Sequence, residues 1–448
     1  MAELHLTRRF GAARPAAIHS LLCAAIAFGM LAYYKPLPHV DLYPTYVAAR
    51  LANEGRWGHI YHASIWLHGS VDPEWDARAN ELMHLPLQGT SFVYHPWYLN
   101  AARPLAARMT YETFQQFWVW ISKGSLVAAG LSMALLMRWR RLEHQLLLTL
   151  LVALSPTTLY GINLGQNVLP ALVFSLAAAL AWQSGASLAI GGGFAALAWM
   201  FKPWCAALLP LCWLLRGVRA GALSSAALLA LMVALPELLM PRELMQDYHA
   251  MNLALAESST LAWNNLSVQA IVERFAKPDW SQQLGVFGAQ TAALSHRALA
   301  LLAVAAIVLS ALLIWLRRRP APAATSAAWL ALMLLPVSVC WIHYFIFALP
   351  VACLVAFSGG MPWLARLSGA ALLALVPSLE ALYGLTPAEY LAYQTHPAGL
   401  PWLRMLPMAL VACTSLSALR YARRAPQKAP AADLAAPGRS ERSRLRAE

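Results

Sequence analysis

Long apolar runs, separated by short polar or basic breaks, recur along the whole chain of 448 residues. An α-helix needs about 20 apolar residues to cross the roughly 30 Å hydrocarbon core of a bilayer, and the chain repeatedly supplies runs of about that length. The strict alternation of apolar and polar residues that is typical of strands is absent from the sequence. The pattern therefore predicts an all-α integral membrane protein, a multi-spanning helical bundle.

Counting the apolar runs predicts about twelve transmembrane helices, to within two. The predicted spans are Ala16–Tyr34, Glu112–Met137, Gln145–Ile162, Val168–Gln183, Leu188–Phe201, Trp204–Leu215, Gly221–Met240, His296–Leu316, Ser326–Trp341, Tyr344–Phe357, Leu364–Tyr383 and Leu400–Leu419. Two long loops, 35–110 and 241–295, separate some of these spans. We treat residues 1–424 as one transmembrane domain and predict that residues 425–448 form a disordered basic tail.

The formal net charge of +13 raises the question of nucleic acid binding, but the arginines lie in short clusters at the ends of apolar runs. Such clusters mark the cytoplasmic side of a membrane protein, so we expect no nucleic acid partner. Counting spans from these clusters places 138–144, 317–325 and both termini in the cytoplasm. Loops 35–110 and 241–295 are then extracytoplasmic, and the expected location is the cytoplasmic membrane.

Composition agrees with this class, because hydrophobic residues make up 60% of the chain and charged residues only 12%. The six cysteines lie within or beside apolar runs and lack a short metal-ligand spacing, which favours small buried hydrophobes over metal ligands. The histidines of the first loop lack the spacing of zinc ligands, so we predict no metal site. We expect no cofactor, and the sequence leaves any divalent metal requirement open.

With this topology, the unusual polar residues of the chain collect on the outer face. Asp41 follows the first span by a few residues, Gln166 and Asn167 open the fourth, Lys202 ends the fifth, and His343 lies between the ninth and tenth. A passive anchor would scatter such groups, and a transporter would more usually place charges near the bilayer midplane. The pattern indicates a shared extracytoplasmic site.

Several of these stretches resemble motifs of glycosyltransferase family 87. The resemblance covers about residues 40–360 and depends mainly on the order and spacing of the motifs. They are Asp41 with Tyr43, Tyr46 and Ala48-Ala49; Gly165-Gln166-Asn167; Gly191–Ala198 leading into Phe201-Lys202-Pro203; Asn264-Asn265-Leu266-Ser267; and Pro336–Tyr344 with Pro350. The chain departs from the family pattern at His95, Val337 and Cys340.

The resemblance implies a GT-C-type membrane fold and a sugar donor linked to a polyprenyl phosphate. It implies an inverting glycosyltransferase that moves a sugar to a glycan or glycolipid acceptor on the extracytoplasmic face, and the sugar expected from the family is mannose. We also expect membrane lipid to contact the protein around the donor and acceptor sites. Two other classes remain open, a flippase or transporter of a lipid-linked saccharide and a non-catalytic membrane assembly subunit.

Sugar transfer by a single displacement needs one carboxylate as general base, and we assign this role to Asp41. The other acids of the first loop are Asp72, Glu74 and Asp76, and their sequence indicates a turn and a helix start. From its position alone, the simpler interpretation of Asp41 is a solvated loop acid.

The remaining candidates are residues that bind the phosphate or the sugar of the donor. Lys202 supplies a cation at the outer end of a span, with an interfacial snorkelling lysine as the alternative. Gln166 and Asn167 either face the donor or cap a helix, and His343 either donates a hydrogen bond or fills a helix interface. Tyr344 and Asn264 complete the set. The stretch from Asn264 to Ser267 alternatively caps a short amphipathic helix, Val268–Phe275, on the bilayer surface.

Overall fold

A computed structural model describes residues 18–34, 41–61, 72–83, 92–138, 142–260, 265–276, 289–291, 294–358, 360–383 and 401–422. The helices in chain order are α1 (Ile18–Ala32), α2 (Tyr43–Asn53), α3 (Pro73–Met83), α4 (Pro96–Arg108), α5 (Tyr111–Leu136), α6 (Leu142–Leu154), α7 (Pro156–Leu164), α8 (Val168–Ser184), α9 (Leu188–Phe201), α10 (Leu208–Arg216), α11 (Val218–Leu229), α12 (Leu235–Leu239), α13 (Arg242–Glu257), α14 (Val268–Ala276), α15 (Leu294–Arg318), α16 (Pro322–Leu332), α17 (Leu349–Phe357), α18 (Trp363–Tyr383) and α19 (Pro401–Tyr421).

Short irregular turns extend some of these helices. They are 3₁₀ turns at Trp57–His59, Pro203–Ala207 and Ile342–Ala348 and a π-helical turn at Ala230–Ala234. One feature was not expected from the sequence: strand β1 (Ser258–Thr260) pairs antiparallel with β2 (Ala289–Thr291). It is a small addition to a fold that is otherwise helical in the described part of the chain.

Four helices in the described residues are long and apolar enough to cross a membrane. They are Tyr111–Leu136, Val218–Leu239, Leu294–Arg318 and Leu403–Tyr421, and the bent pair of α6 and α7 makes a fifth if it is one span. Further apolar helices of 10–17 residues occupy six of the other predicted positions, but none of them lies at the ninth, Ser326–Trp341. The helical membrane bundle is thus supported, whereas the number of twelve spans stays a prediction.

Two predicted spans are interrupted at prolines. The third bends by 45° between α6 and α7, where Pro156 begins the second helix and lacks the N–H that would continue the first. The ninth was predicted to run from Ser326 to Trp341, but α16 ends at Leu332. The residues after it, which include Pro336, form turns. The Cys340 carbonyl accepts from the Leu266 N–H at 2.8 Å, and the Cys340 N–H donates to Asn265 Oδ1 at 2.8 Å.

The buried apolar residues form two clusters, one within the bundle and one in an outer layer. The outer cluster joins α2, α3 and α4 to α13, with Tyr46, Leu99 and Leu244 among its buried members. The described parts of the two long loops therefore lie on the same side of the bundle. Trp97, Met200 and Phe201 pack against both clusters, so they mark the boundary between the bundle and the outer layer.

The alternative that placed α14 on the bilayer surface is not supported by its packing, because Ile271 is buried in the cluster of the bundle and Val268 packs against that cluster. Its polar residues Glu273 and Arg274 are buried, while Phe275 is half-exposed. Glu273 accepts a hydrogen bond from His296 at 3.0 Å, and Arg274 donates one to the Asn265 carbonyl at 3.0 Å. These partners hold the polar side of α14 against the bundle, where a charged group is tolerated only if it is paired.

Candidate functional site

Asp41 lies immediately before α2, at the boundary between the two clusters. Its backbone N–H donates to the Leu164 carbonyl at 2.9 Å, which fastens the start of the first loop to the end of α7. The next residues along α2 are buried in the outer cluster, whereas Asp41 itself is only partly buried. The carboxylate is therefore held in a fixed place by the fold and is still reachable from outside.

A tight turn after α7 brings Gln166 next to Asp41. Gly165 adopts a left-handed conformation with φ of 73°, which glycine takes without a steric penalty. The Gly165 N–H bonds the Ile162 carbonyl at 2.9 Å and the Gln166 N–H bonds the Gly161 carbonyl at 3.0 Å. These two bonds form a Schellman motif, which ends α7 and reverses the chain so that the Gln166 side chain enters the site.

Lys202 enters the same site from the end of α9. Pro203 follows it, and the residue before a proline is pushed out of the helical region. Lys202 accordingly has extended φ and ψ of −139° and 107°. Its side chain is 4% exposed, so the ammonium points into the protein and is not at the surface as a snorkelling lysine would be.

Four side chains form one hydrogen-bonded network, which we call the Asp41 network. The Lys202 ammonium donates to Gln166 Oε1 at 3.0 Å and to the Tyr344 hydroxyl at 3.0 Å, and Gln166 Nε2 donates to Asp41 Oδ2. Only this orientation of the amide satisfies both neighbours, because an ammonium cannot accept and a carboxylate cannot donate. Gln166 thus connects a cation to an anion.

Aromatic rings enclose the Lys202 ammonium. Its Nζ lies 4.7 Å from the centre of the Tyr344 ring and 5.3 Å from that of the Tyr94 ring, distances at which a cation is attracted to the ring face. The sequence had not assigned a role to Tyr94. The one sequence feature that pointed to this region is the stretch Val93-Tyr94-His95-Pro96, which departs from the family pattern at His95. Sequence alone does not place that stretch over Lys202.

Burial shifts both charged groups of the network toward their neutral forms. Burial raises the pKa of Asp41 above its ordinary value, and the Gln166 hydrogen bond and the Lys202 charge only partly offset this. Burial likewise lowers the pKa of Lys202 to about 7, although the nearby Asp41 acts in the opposite direction. A carboxylate with a raised pKa is a stronger base than a free one when it is ionised.

His343 lies beside this network, next to Tyr344 in sequence. Its side chain is 2% exposed, and neither ring nitrogen has a hydrogen-bond partner among the described residues. The ring packs 4.9 Å from Tyr344 and 6.3 Å from Tyr160, between centres. A buried imidazole without partners is costly, so these nitrogens are available to a bound group.

Asn167 and the Asn264 motif occupy less direct positions. Asn167 begins α8, but its side chain does not cap that helix; Nδ2 donates to the Phe201 carbonyl at 2.8 Å and so satisfies the end of α9. Its Oδ1 is buried and has no partner among the described residues. Asn264 lies outside the described residues. Ser267 caps α14 by accepting from the Ala270 N–H at 3.1 Å. This agrees with the alternative role given above for the stretch from Asn264 to Ser267, which is helix capping.

The other first-loop acids have structural partners. Asp72 Oδ1 accepts from the backbone N–H groups of Glu74 at 2.9 Å and Trp75 at 3.2 Å, so it caps α3, and Oδ2 contacts His59 Nδ1 at 2.8 Å. Burial alone would raise the pKa of Asp72, but these hydrogen bonds lower it. The turn and helix start that were predicted here are confirmed.

Comparison with known proteins adds one match. A model of glycosyltransferase family 87 matches residues 92–342, more than half of the chain. The matched stretch contains Gln166 and Lys202, whereas Asp41 precedes it and His343 follows it directly. No match was found among the curated proteins or among the solved structures.

Proposed function

Because the chain belongs to glycosyltransferase family 87, we propose that it transfers a sugar, mannose, from a polyprenyl-phosphate donor to a glycan or glycolipid acceptor. Glycosyl transfer itself is the activity of the family. The donor, the sugar and the acceptor are our proposal. The observation that supports it best is the Asp41 network, which places a carboxylate and an ammonium in one enclosed site.

The reaction that fits this site is a single displacement with inversion. The acceptor oxygen attacks the anomeric carbon, and the bond from that carbon to the phosphate oxygen breaks with its electron pair leaving on the phosphate. The proton of the acceptor hydroxyl passes to Asp41. One carboxylate is sufficient, because the phosphate leaves without needing a proton.

Lys202 is assigned to the departing phosphate. An ammonium has three N–H donors, and among the described residues two neutral oxygen atoms, those of Gln166 and Tyr344, accept from it. A phosphate oxygen is a suitable third acceptor, and its growing charge is stabilised in a site that excludes water. This assignment keeps Lys202 charged when the donor is bound, since a nearby anion raises its pKa.

His343, Tyr344 and Asn167 complete the proposed donor site. The two unpartnered nitrogens of His343 suit a phosphate oxygen or a sugar hydroxyl, and the unpartnered Oδ1 of Asn167 suits a hydroxyl donor. The Tyr344 hydroxyl, which already accepts from Lys202, keeps its own proton for a donor oxygen. Asn264 is proposed to cover the donor from above, as the family resemblance implies.

We place the site on the extracytoplasmic face of the cytoplasmic membrane, with both termini inside. The shared outer cluster supports one side for loops 35–110 and 241–295, and the arginine clusters favour the outside for both. Single cysteines introduced at positions 140 and 318 of a cysteine-free variant test this in intact cells. An impermeant maleimide should label neither, and labelling of either from outside would contradict the sidedness.

The activity is tested with purified protein, radiolabelled polyprenyl-phosphate mannose and crude membrane acceptors. We expect transfer of label to a product that depends on the protein. A lipid-linked saccharide flippase would instead move the donor between leaflets of proteoliposomes without forming product. An assembly subunit would do neither, and either result would overturn the proposed function.

A further inference from the structure

The helix that runs from α11 to α12 is irregular in its centre, next to Pro236. In the π-helical turn Ala230–Ala234, the Leu235 N–H bonds the Ala230 carbonyl, five residues back. A regular α-helix would direct that N–H to Leu231, and it would pair Met232 with Pro236. Pro236 has no N–H to give. The carbonyls of Leu231 and Met232 therefore both lose their regular α-helical donors.

Side chains from the first loop bond these two carbonyls. His95 Nε2 donates to the Met232 carbonyl at 2.9 Å, and Trp97 Nε1 donates to the Leu231 carbonyl at 2.8 Å. His95 Nδ1 at the same time accepts from the Trp97 backbone N–H at 3.2 Å. An imidazole with one accepting and one donating nitrogen is neutral and in a single tautomer. Burial lowers the pKa of His95 to about 4, so this state persists at neutral pH.

These contacts cross from the outer layer to a helix with an apolar surface. Leu231 and Val233 are 40% and 45% exposed, so this part of the helix faces apolar surroundings if it crosses the membrane. Water is scarce there, and a carbonyl without a donor is costly. His95 and Trp97 are thus the partners that make the break at Pro236 tolerable, and in return the break fixes where α4 begins.

The start of α4 matters because Tyr94 immediately precedes His95. The Tyr94 ring lies 5.3 Å from the Lys202 ammonium, and its carbonyl accepts from the Tyr61 hydroxyl at 2.7 Å. Any shift of His95 along the helix would move Tyr94 relative to Lys202. The Tyr61 contact comes from the outer cluster, whereas the two carbonyls anchor the same stretch from the helix that runs from α11 to α12.

We propose that His95 and Trp97 are positioning residues, which dock α4 onto the two carbonyls released by Pro236 and thereby hold Tyr94 against Lys202 at the donor site. We call this pair of hydrogen bonds the π-turn latch. It deepens the proposed function, since it assigns residues that shape donor binding without touching the reacting atoms. Loss of the latch should weaken donor binding more than the chemical step, so the donor KM rises while kcat changes little.

The first test compares variants that each remove one contact. Trp97→Phe keeps an aromatic ring, smaller than the indole, and loses the N–H, and His95→Ala loses the hydrogen bonds of both imidazole nitrogens. We expect each to raise the donor KM by about tenfold, the effect of a lost hydrogen bond. His95→Gln should restore part of the loss, because its amide can donate to the Met232 carbonyl. Trp213→Phe is the matched control, because Trp213 Nε1 donates to Ser225 Oγ at 3.0 Å outside the site. An unchanged donor KM in both latch variants, or an equal rise in the control, would overturn the proposal.

The second test is a double-mutant cycle that also works without transfer activity. Pro236→Ala supplies the missing N–H, so the helix can satisfy the Met232 carbonyl itself and His95 loses its role there. We expect His95→Ala to lower the thermal unfolding temperature in detergent more in the wild-type background than in Pro236→Ala protein. Additive effects would contradict the latch. If the four proteins of the cycle show this coupling and the wild-type protein shows no transfer activity, the result counts against the proposed function and leaves the latch intact.

Discussion

The first loop contains two acidic sites with opposite surroundings, Asp41 and a group formed by Asp72, Glu74, Arg56 and His59, which we call the Asp72 group. The Asp72 group is a network of ion pairs in which Glu74 contacts both Arg56 and His59, and the side chains of these three residues are 37–42% exposed. The Asp41 network contains one anion and one cation that Gln166 keeps apart, and Lys202 within it is almost fully buried. Asp72 is fully engaged by a helix N-terminus and a histidine, whereas Asp41 is partly exposed beside an enclosed ammonium.

The difference shows how a structural acid can be told from a reactive one. Partners that lower the pKa of Asp72 make its carboxylate a weaker base, and they also occupy its oxygen atoms. Burial raises the pKa of Asp41 and so makes it a better proton acceptor. Exposed ion pairs contribute little to stability individually, so the Asp72 group mainly orders the loop.

The largest expected effect is that of Asp41→Asn. The amide keeps the shape of the side chain and removes its basicity, so the transfer rate should fall by about 10²–10⁴-fold, the usual range for general base catalysis. Steady-state transfer with the polyprenyl-phosphate donor is the measurement. Asp72→Asn is the matched control and should stay close to the wild-type rate. If Asp41→Asn retained more than a tenth of that rate, Asp41 would not be the general base.

Lys202→Ala should have the next largest effect. Removing a cation that faces the departing phosphate in a site without water costs about 2–4 kcal/mol in the transition state, or about 30- to 1000-fold in rate. Lys123→Ala is the control, because Lys123 is also buried but donates to the Tyr34 carbonyl at 2.8 Å. Its loss should lower stability and leave donor use nearly unchanged. Normal turnover in Lys202→Ala would remove the phosphate assignment.

The pH dependence should be the smallest of the three effects. Lys202 must be protonated to bind phosphate, and its pKa is about 7 in the free protein, so kcat/KM for the donor should fall by up to about tenfold per pH unit above that value. Asp41 must be ionised, and its raised pKa moves the acid limb to higher pH than for an ordinary carboxyl group. The residual activity of Lys202→Ala should lack the alkaline limb. An identical limb in that variant would assign it to another group.

The sequence predicted the positions of helices better than their continuity. Every predicted span has a helix at its place, because about 20 apolar residues leave few alternatives in a membrane. The breaks at Pro156 and Pro336 and the π-helical turn before Pro236 depend on which partners replace the lost hydrogen bonds. At Pro156 the partner is local, because Thr158 Oγ1 donates to the Val152 carbonyl at 2.7 Å. At the π-helical turn the partners are His95 and Trp97, which come from a distant part of the chain. Local sequence does not identify these distant partners.

The candidate site was predictable in part. Family motifs indicated Asp41, Gln166, Lys202 and Tyr344, and the structure brings these four side chains together. The motifs did not indicate that Gln166 would connect the two charges, nor that Tyr94 would cover Lys202. Both depend on the turn at Gly165 and on the packing of the outer layer, and neither can be read from the spacing of residues along the chain.

The central claim is a division of roles within one network, in which Lys202 binds the donor phosphate and Asp41 accepts the proton. Equilibrium binding of polyprenyl-phosphate mannose to the purified variants tests it most directly, because binding does not require transfer. We predict that Asp41→Asn binds the donor with near wild-type affinity although it transfers poorly, and that Lys202→Ala binds it at least about tenfold more weakly. Loss of donor binding in Asp41→Asn, or full binding in Lys202→Ala, would contradict that division.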